Sequence, residues 1–582
     1  MSSKLGIPIR NTRSTRPAQK RERSAHNKTR TGCKTCKIRR IKCDEARPAC
    51  LRCSSTRRTC DGYDEPNDEK RWVVITGPSL SLSLPVALNS FPESLEDEPS
   101  RTSFDFFRTA SVPELSRFFG RSFWSQSLLS TSHQFPAVMS AVLALASLHR
   151  RFKNGEPLIQ GDLFTARQYD KALKQLIRAI SGTTAKAHCR LMSLLCGVLF
   201  TVIEVLQGCN QHALAHLDSI IKLLNEIPRT TTATGEEVLV TTDTVMQDLK
   251  DVILRFDVEG AIFSPRRSPG LALPPLPPRR DQEVLSAVIQ PPGLPDNPQA
   301  VSLDQAADEL NHLMAHMSQF IYTTKPYRHE TAGNVPLSML LEQQDLVAHF
   351  QRWWDRANTS LDLTNIKTVI PKNPEHRMRV ALLRLHYHAS WTMLQCCLHA
   401  EETAYDRYLE SFRDIVRCAR AAVLEDGGSY HPLSTKPAAA PPGSGSFSTD
   451  MGVVFPLYWT ALRCRDGRLR REALALLRIY GAREGVWVPE IQTRVAARVI
   501  ELEEGLDAGS LLPVLPGTMV QGEVVAPPSS TPLRMEDVYE FRRCHSVIHF
   551  TDRVGRKVRM VYQRRLNGLD GEWDVGTEWL SY

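Results

Sequence analysis

The sequence predicts two parts of unlike construction. A small cysteine-built module stands near the N-terminus, and a large, mostly all-α domain comes after it, with a short β-hairpin near the C-terminal end. Three observations predict this. Six cysteines, Cys33, Cys36, Cys43, Cys50, Cys53 and Cys60, are spaced C-x2-C-x6-C-x6-C-x2-C-x6-C. Apolar residues recur at helical intervals from about 103 to 505. After residue 535 the period shortens, and the β-prone runs Ser546 to Phe550 and Lys557 to Tyr562 flank DRVGR.

The cysteine pattern is an internal repeat: shifting Cys33, Cys36 and Cys43 by 17 residues gives Cys50, Cys53 and Cys60. A disulfide framework needs an oxidising compartment, yet residues 1–30 are polar and basic with no apolar signal core. Redox-active CxxC pairs would leave the third cysteine of each triplet unexplained. A metal site uses all six. Closed zinc sites take four ligands in a tetrahedron, commonly thiolates. Two ions need eight bonds, which six sulfurs supply if two of them bridge. The repeat suggests Cys33 and Cys50, the first of each triplet. One zinc would then take Cys33, Cys36, Cys43 and Cys50, and the other Cys50, Cys53, Cys60 and Cys33. So short a segment buries too little apolar surface to fold alone, so metal binding would supply its folding free energy.

Residues 31–63, TGCKTCKIRRIKCDEARPACLRCSSTRRTCDGY, resemble the fungal zinc binuclear cluster, the Zn2Cys6 DNA-binding domain of transcription factors. The resemblance implies the same bridging pair. Charge agrees with a nucleic-acid partner. The first 60 residues carry +15, although the whole chain is only +9. Four cations, Lys37, Arg39, Arg40 and Lys42, crowd the six-residue loop between Cys36 and Cys43. In the family the equivalent short helix points into the major groove of double-stranded DNA. Arg39 and Arg40 match its base-reading pair, which implies a CGG-type triplet. Many relatives have lysine where Arg40 stands. Arginine pairs bidentately with guanine O6 and N7, whereas lysine acts as a point charge. Lys34, Lys37 and Lys42 are expected to meet phosphates, which position without specifying. They would also offset the net −2 that two Zn2+ and six thiolates leave. Arg57 and Arg58, in the less basic second loop, are expected to reach the DNA backbone at most. The basic tail, 1–30, has no apolar periodicity and reads as disordered, serving as a nuclear import signal or a DNA-grazing arm.

Residues 64–102 read as a linker. The stretch 61–70 is acidic, prolines punctuate residues 66–99, and no apolar heptads appear after Cys60. A coiled-coil dimer with fixed half-site spacing is therefore not indicated. Homodimerisation or coregulator contact would fall to the helical domain. Residues 91–107 mix acids with aromatics and read as linker entering the first helix.

Within 103–505, Pro136 opens AVMSAVLALASLHRRF, with proline suited to a first turn. Tyr169, Leu173, Leu176 and Ile180 keep helical spacing, and Gly182 is placed as a stop. Leu191 to Leu206 reads as a buried helix, too short and interrupted to cross a membrane. Gln211 to Asn225 is amphipathic. Further helices are expected at 302–323, 338–357, 376–400, 404–424, 453–464, 468–480 and 489–505. These stretches, including ARQYDKALKQLIRAI and GVVFPLYWTALRCRDGRLRREALALLRIYGAREGVW, resemble the fungal-specific transcription factor regulatory domain over about 104–505, thinly between 228 and 300. Residues 264–280, 428–450 and 507–534 are Pro-, Gly- or Ser-rich connections; Pro274, Pro277 and Arg279 fit a PxxPxR pattern but read as linker. Residues 506–582 form a loop and extension holding the hairpin.

No phosphate-binding glycine loop, dinucleotide fingerprint or GxSxG elbow is present. His212 and His216 lie four apart, but HALAH lacks the glutamate of a HExxH site and reads as an ordinary amphipathic helix. Cys396, Cys397, Trp353 and Trp354 read as core. The expected function is a nuclear, zinc-dependent, sequence-specific regulator of RNA polymerase II genes, not an enzyme. The rivals are a corepressor scaffold whose cluster binds protein and an enzyme tethered to chromatin.

Overall fold

Sulfur packs the first and aliphatic side chains the second of two units, Met1–Ser90 and Phe91–Tyr582, in the computed structural model. The structure describes residues 33, 35–36, 39, 41, 43–44, 46, 49–56 and 59–60 of the first. Of the second it describes 97–158, 163–182, 186–227, 229–231, 237–239, 244–276, 301–328, 334–361, 363, 374–425, 445–511, 519–520, 523–524, 533–552, 555–567 and 571–582. The basic tail, Lys34, Lys37, Arg40, Lys42, Arg57, Arg58, Pro277, Arg279 and most of the linker lie outside these residues.

In the first unit Cys33, Cys36, Cys43, Cys50 and Cys53 are the buried core and Cys60 packs against them. A single-turn helix, Leu51–Ser54, starts at Cys50, whose sulfur accepts the Cys53 N–H. The Asp44 carboxylate accepts the N–H groups of Leu51 at 2.9 Å and Arg52 at 3.3 Å. One acid thus satisfies two donors that a helix start leaves without intrahelical partners.

In the second unit the Pro136–Lys153 helix has proline in its first turn and is buried without a break from Ala137 to His149. It packs on the Leu163–Ser181 and Lys186–Gln207 helices. The Lys186–Gln207 helix lies close against Asn210–Asn225. A Cβ at Gly197 would stand 2.1 Å from Ile220 Cγ2, so only glycine permits the approach. This helix is longer than the Leu191–Leu206 stretch suggests, and among the described residues it alone has the length and composition to cross a membrane. In the fold 72% of its most apolar window is buried.

The Leu303–Thr324 helix opens with a capping box in which Ser302 and Gln305 bond reciprocally. Helices Leu337–Leu361, Pro374–Cys396, Val454–Arg463, Gly467–Ile479 and Pro489–Glu504 stand near the expected positions. The 404–424 stretch differs. It divides into a 3-10 turn Glu402–Tyr408, an α-helix Leu409–Arg420 and a π-turn Ala421–Glu425. The N–H groups of Glu402 and Thr403 are both bound by the Glu540 carboxylate at 2.9 Å, which ties this start to a distant segment.

The helix Thr244–Phe263 was not expected, and the first helix begins a few residues before the expected domain start at 103. Thr244–Phe263 lies in the 228–300 stretch and buries Val245, Leu249, Val252 and Phe256 at helical spacing. Glu98–Phe106 begins inside the stretch read as linker, where the Asp97 carboxylate accepts the Ser100 N–H at 2.8 Å.

The C-terminal hairpin is present, as strands Ser546–Asp552 and Lys557–Arg565, and a third antiparallel strand, Trp573–Ser581, joins it. The register sets Gly576 opposite Tyr562, and a Cβ there would fall 2.1 Å from the phenol ring. A buried ion network fastens the sheet's lead-in to the helices. Glu402 pairs with Arg463, with Arg465 at 3.4 Å and with Arg328 at 3.0 Å. Glu503 binds Arg465 at 3.0 Å, Arg470 at 2.7 Å and the Cys544 N–H at 2.9 Å. Arg463 also donates to the carbonyls of Cys544 at 2.9 Å and His545 at 3.1 Å.

Candidate metal centre

The spacing of the cysteines becomes a cluster because each CxxC turn folds its second residue back onto the first. The Cys36 N–H donates to Cys33 Sγ at 3.4 Å, and the Cys53 N–H donates to Cys50 Sγ at 3.3 Å. The sequence repeat is thus repeated in the backbone. The Cys33 N–H adds a bond to Cys43 Sγ at 3.5 Å.

The sulfurs converge. Cys33 Sγ lies 3.6 Å from Cys50 Sγ and 3.9 Å from Cys53 Sγ, while Cys36 Sγ lies 3.7 and 3.9 Å from the same two atoms. A tetrahedron with metal–sulfur bonds of about 2.3 Å has edges of about 3.8 Å. These separations suit thiolate ligands of zinc, but the four sulfurs that meet are two from each repeat: Cys36 and Cys53, expected on different ions, lie 3.9 Å apart, and this quartet is neither of the two expected sets. Ligand atoms of Cys33, Cys36, Cys50 and Cys53 fall within 4.8 Å of one another, and Cys43 joins Cys50 and Asp44 at the same limit. None of the fourteen cysteines is in a disulfide. Burial pushes the Cys33 thiol up to about 12 and raises those of Cys36 and Cys50. Ionising such sulfurs together takes a cation.

The basic loop starts as a helical turn, closed by the Arg39 N–H on the Thr35 carbonyl at 3.2 Å. Arg39 Nη1 donates to Thr56 Oγ1 at 3.3 Å, tying the first repeat to the second. The other predicted DNA contacts, Arg40, Lys34, Lys37 and Lys42, lie outside the described residues. Sequence reasoning missed Asp44 and Thr56. An acid directly after a ligand cysteine in a basic segment was the available signal for Asp44; nothing marked Thr56.

In the helical unit, His212 and His216 meet one carboxylate region. His212 Nδ1 is 3.7 Å from Glu204, and His216 Nε2 is 3.4 Å from the Tyr169 hydroxyl, which donates to Glu204 at 3.3 Å. Cys209 joins Glu204 and His212 within 4.8 Å, a grouping that spacing did not announce. Cys396, Cys397 and Trp353 are buried as expected.

Residues 31–70 match the fungal Zn(2)-Cys(6) binuclear cluster domain, and residues 104–487 match the fungal specific transcription factor domain. The chain is 23% identical to the aspercryptin biosynthesis cluster-specific transcription regulator atnN of Emericella nidulans, over 84% of this chain and 90% of that protein. It is 30% identical to the Zn(2)-C6 fungal-type transcription factor afumD of Aspergillus fumigatus, over 29% of this chain and 45% of that protein. It is 34% identical to the transcriptional regulatory protein moc3 of Schizosaccharomyces pombe, over 20% of this chain and 23% of that protein. No solved structure matches the chain.

Proposed function

The chain belongs to the fungal Zn(2)-Cys(6) transcription regulators, and from that premise we propose that it binds two zinc ions through its six N-terminal cysteines and reads a CGG-type triplet at RNA polymerase II genes in the nucleus. Cys33 and Cys50 bridge the ions. Cys36 and Cys43 complete one tetrahedron, and Cys53 and Cys60 the other. The observation that supports this is the approach of Cys33 to Cys50 and Cys53, and of Cys36 to Cys50, at 3.6 to 3.9 Å, in a segment whose sequence sets four cations within six residues.

Arg39 and Arg40 read bases in this account, and Lys34, Lys37 and Lys42 hold phosphates. Residues 31–63 form the DNA-binding module and 64–102 lead out of it. The helical domain tunes output through homodimerisation or a coregulator. Reading and positioning are separable by mutation. Arg40→Ala should cost about 1–3 kcal/mol on the preferred duplex and broaden the selected sequence. Lys42→Ala should weaken all duplexes alike and flatten the salt slope by about one unit. Binding-site selection from random DNA, with a salt titration, checks both. An unchanged preferred sequence in Arg40→Ala would remove it from the reading pair.

A further inference from the structure

A cavity of about 620 Å3 opens within the helical unit, walled by the end of the Leu303–Thr324 helix, the Val454–Arg463 helix and the first strand of the C-terminal sheet. Its volume is that of a small-molecule site. Its chemistry is lopsided. Five cationic side chains, Arg266, Arg267, Lys325, Arg328 and Arg463, line it, and among the described residues no Asp or Glu does. Arg328 and Arg463 share one carboxylate, Glu402, which Arg465 also claims. Arg267 is paired with Asp218 at 2.8 Å and with Asp257 at 2.7 Å, so the surplus of positive charge at the wall rests on Arg266, Lys325 and the Arg328–Arg463 pair that shares one carboxylate.

The wall also carries an aromatic cluster. Trp487 stands edge-on to Phe263, with centroids 5.2 Å apart at 82°, and lies 5.3 Å from Phe455 and 6.1 Å from Tyr458. Buried with no hydrogen-bond partner among the lining atoms are one acceptor, Asn210 Oδ1, and the Tyr458 hydroxyl, Trp487 Nε1 and Ser318 Oγ. Tyr458, Trp487 and Ser318 are 7%, 3% and 8% exposed. A buried polar group without a partner is costly, and such groups are rare enough to need an explanation. Tyr458, Trp487 and Ser318 can all donate. The indole N–H, and an arginine Nε–H on each of Arg328 and Arg463 that is likewise without a partner, can only donate. A wall of aromatic faces, unpartnered donors and surplus cations suits one class of occupant.

We propose that this cavity binds a small organic anion with an aromatic or fused-ring body, its rings against Trp487, Phe455 and Tyr458 and its anionic group toward Arg463, Arg328 and Lys325. Lys325 lines the wall, its ammonium over the Tyr322 ring at 4.1 Å and donating to the Pro265 carbonyl. The site stands on the cavity alone and does not require the DNA reading.

The test uses the zinc-loaded full chain and two probes of one ring body, 8-anilinonaphthalene-1-sulfonate and its uncharged relative N-phenyl-1-naphthylamine. Calorimetry should find one sulfonate per chain, bound about tenfold or more tighter than the neutral probe. Lys325→Glu should weaken the sulfonate by about tenfold or more, and Ile321→Trp, which adds bulk to the wall, should abolish saturable binding, both with far-ultraviolet dichroism unchanged. Absence of saturable one-to-one binding would overturn the proposal. So would equal affinity for the two probes, or unaltered binding in folded variants. Should a variant misfold, the comparison of probes on the unaltered chain still decides.

Discussion

Stripping zinc with a strong chelator will unfold the N-terminal module and abolish sequence-specific DNA binding in one step, while the helical unit keeps its dichroism. The reason lies in the side chains that pack the module. Its buried core among the described residues is five cysteines with a sixth against them. The two large aliphatic side chains described in it, Ile41 and Leu51, are 40% and 68% exposed. Apolar burial therefore offers almost nothing against chain entropy. Zinc binding of about 10–16 kcal/mol, typical of structural sites in peptides, would be the folding free energy. Specific affinity should fall by about 1,000-fold or more, to the level of charge-driven binding. Single substitutions grade the effect. On the proposed assignment Cys50→Ser takes away a bridging sulfur and should lose both ions, whereas Cys60→Ser takes away a ligand of one. Metal analysis beside fluorescence anisotropy on target and random duplexes measures this. A verified metal-free chain that still prefers its target would sink the idea, as would a folded module holding well under two ions.

The convergence of the cysteines was legible because the CxxC turns are written in local spacing. Cys33 to Cys36 and Cys50 to Cys53 each need only a turn to bring sulfur onto an N–H. The helices were legible where apolar periodicity was strong and a start was marked, as at Pro136 and Ser302. Thr244–Phe263 carried the same period but lay between a Thr-rich stretch and a proline-rich loop, which obscured its ends. The third strand was hidden for a different reason. Its apolar residues Trp573, Val575 and Trp579 face outward, 36%, 55% and 58% exposed, so its alternation does not report which face is buried. Long-range polar partners left no trace at all. Glu402 and Glu540 are 138 residues apart, and nothing local says that one carboxylate will bind the other's N–H. The cavity is legible only in space, since its wall is drawn from segments between Gly208 and Thr551.

Replacing Glu402 by alanine should cost the helical unit about 3–5 kcal/mol, among the largest single losses available in it. Glu402 is 2% exposed and Arg465 is fully buried. Removing the carboxylate takes the anion from Arg463 and Arg328 and leaves Arg465 with Glu503 alone, so the penalty comes from unpaired buried charge. The contrast is Glu578→Ala. Its ion pair with Arg498 is well formed at 2.6 Å but part-exposed at 28% and 15%, and should be worth about 0–1 kcal/mol. Acid gives a second reading of the same network. Burial alone would raise the Glu402 carboxyl, yet Arg463, Arg465 and Arg328 outweigh it and hold the group at about 2. An unfolded glutamate titrates near 4.3. Its stabilisation is therefore complete above about pH 5 and is lost as pH falls toward 2. Glu402→Gln cannot ionise, so its stability should depend less steeply on pH across that window. Urea unfolding of the three variants at pH 7, and of Glu402→Gln against the unaltered chain from pH 5 downward, measures both effects. Equal small losses for Glu402→Ala and Glu578→Ala, or identical acid slopes, would mean that the buried arginines find their compensation elsewhere.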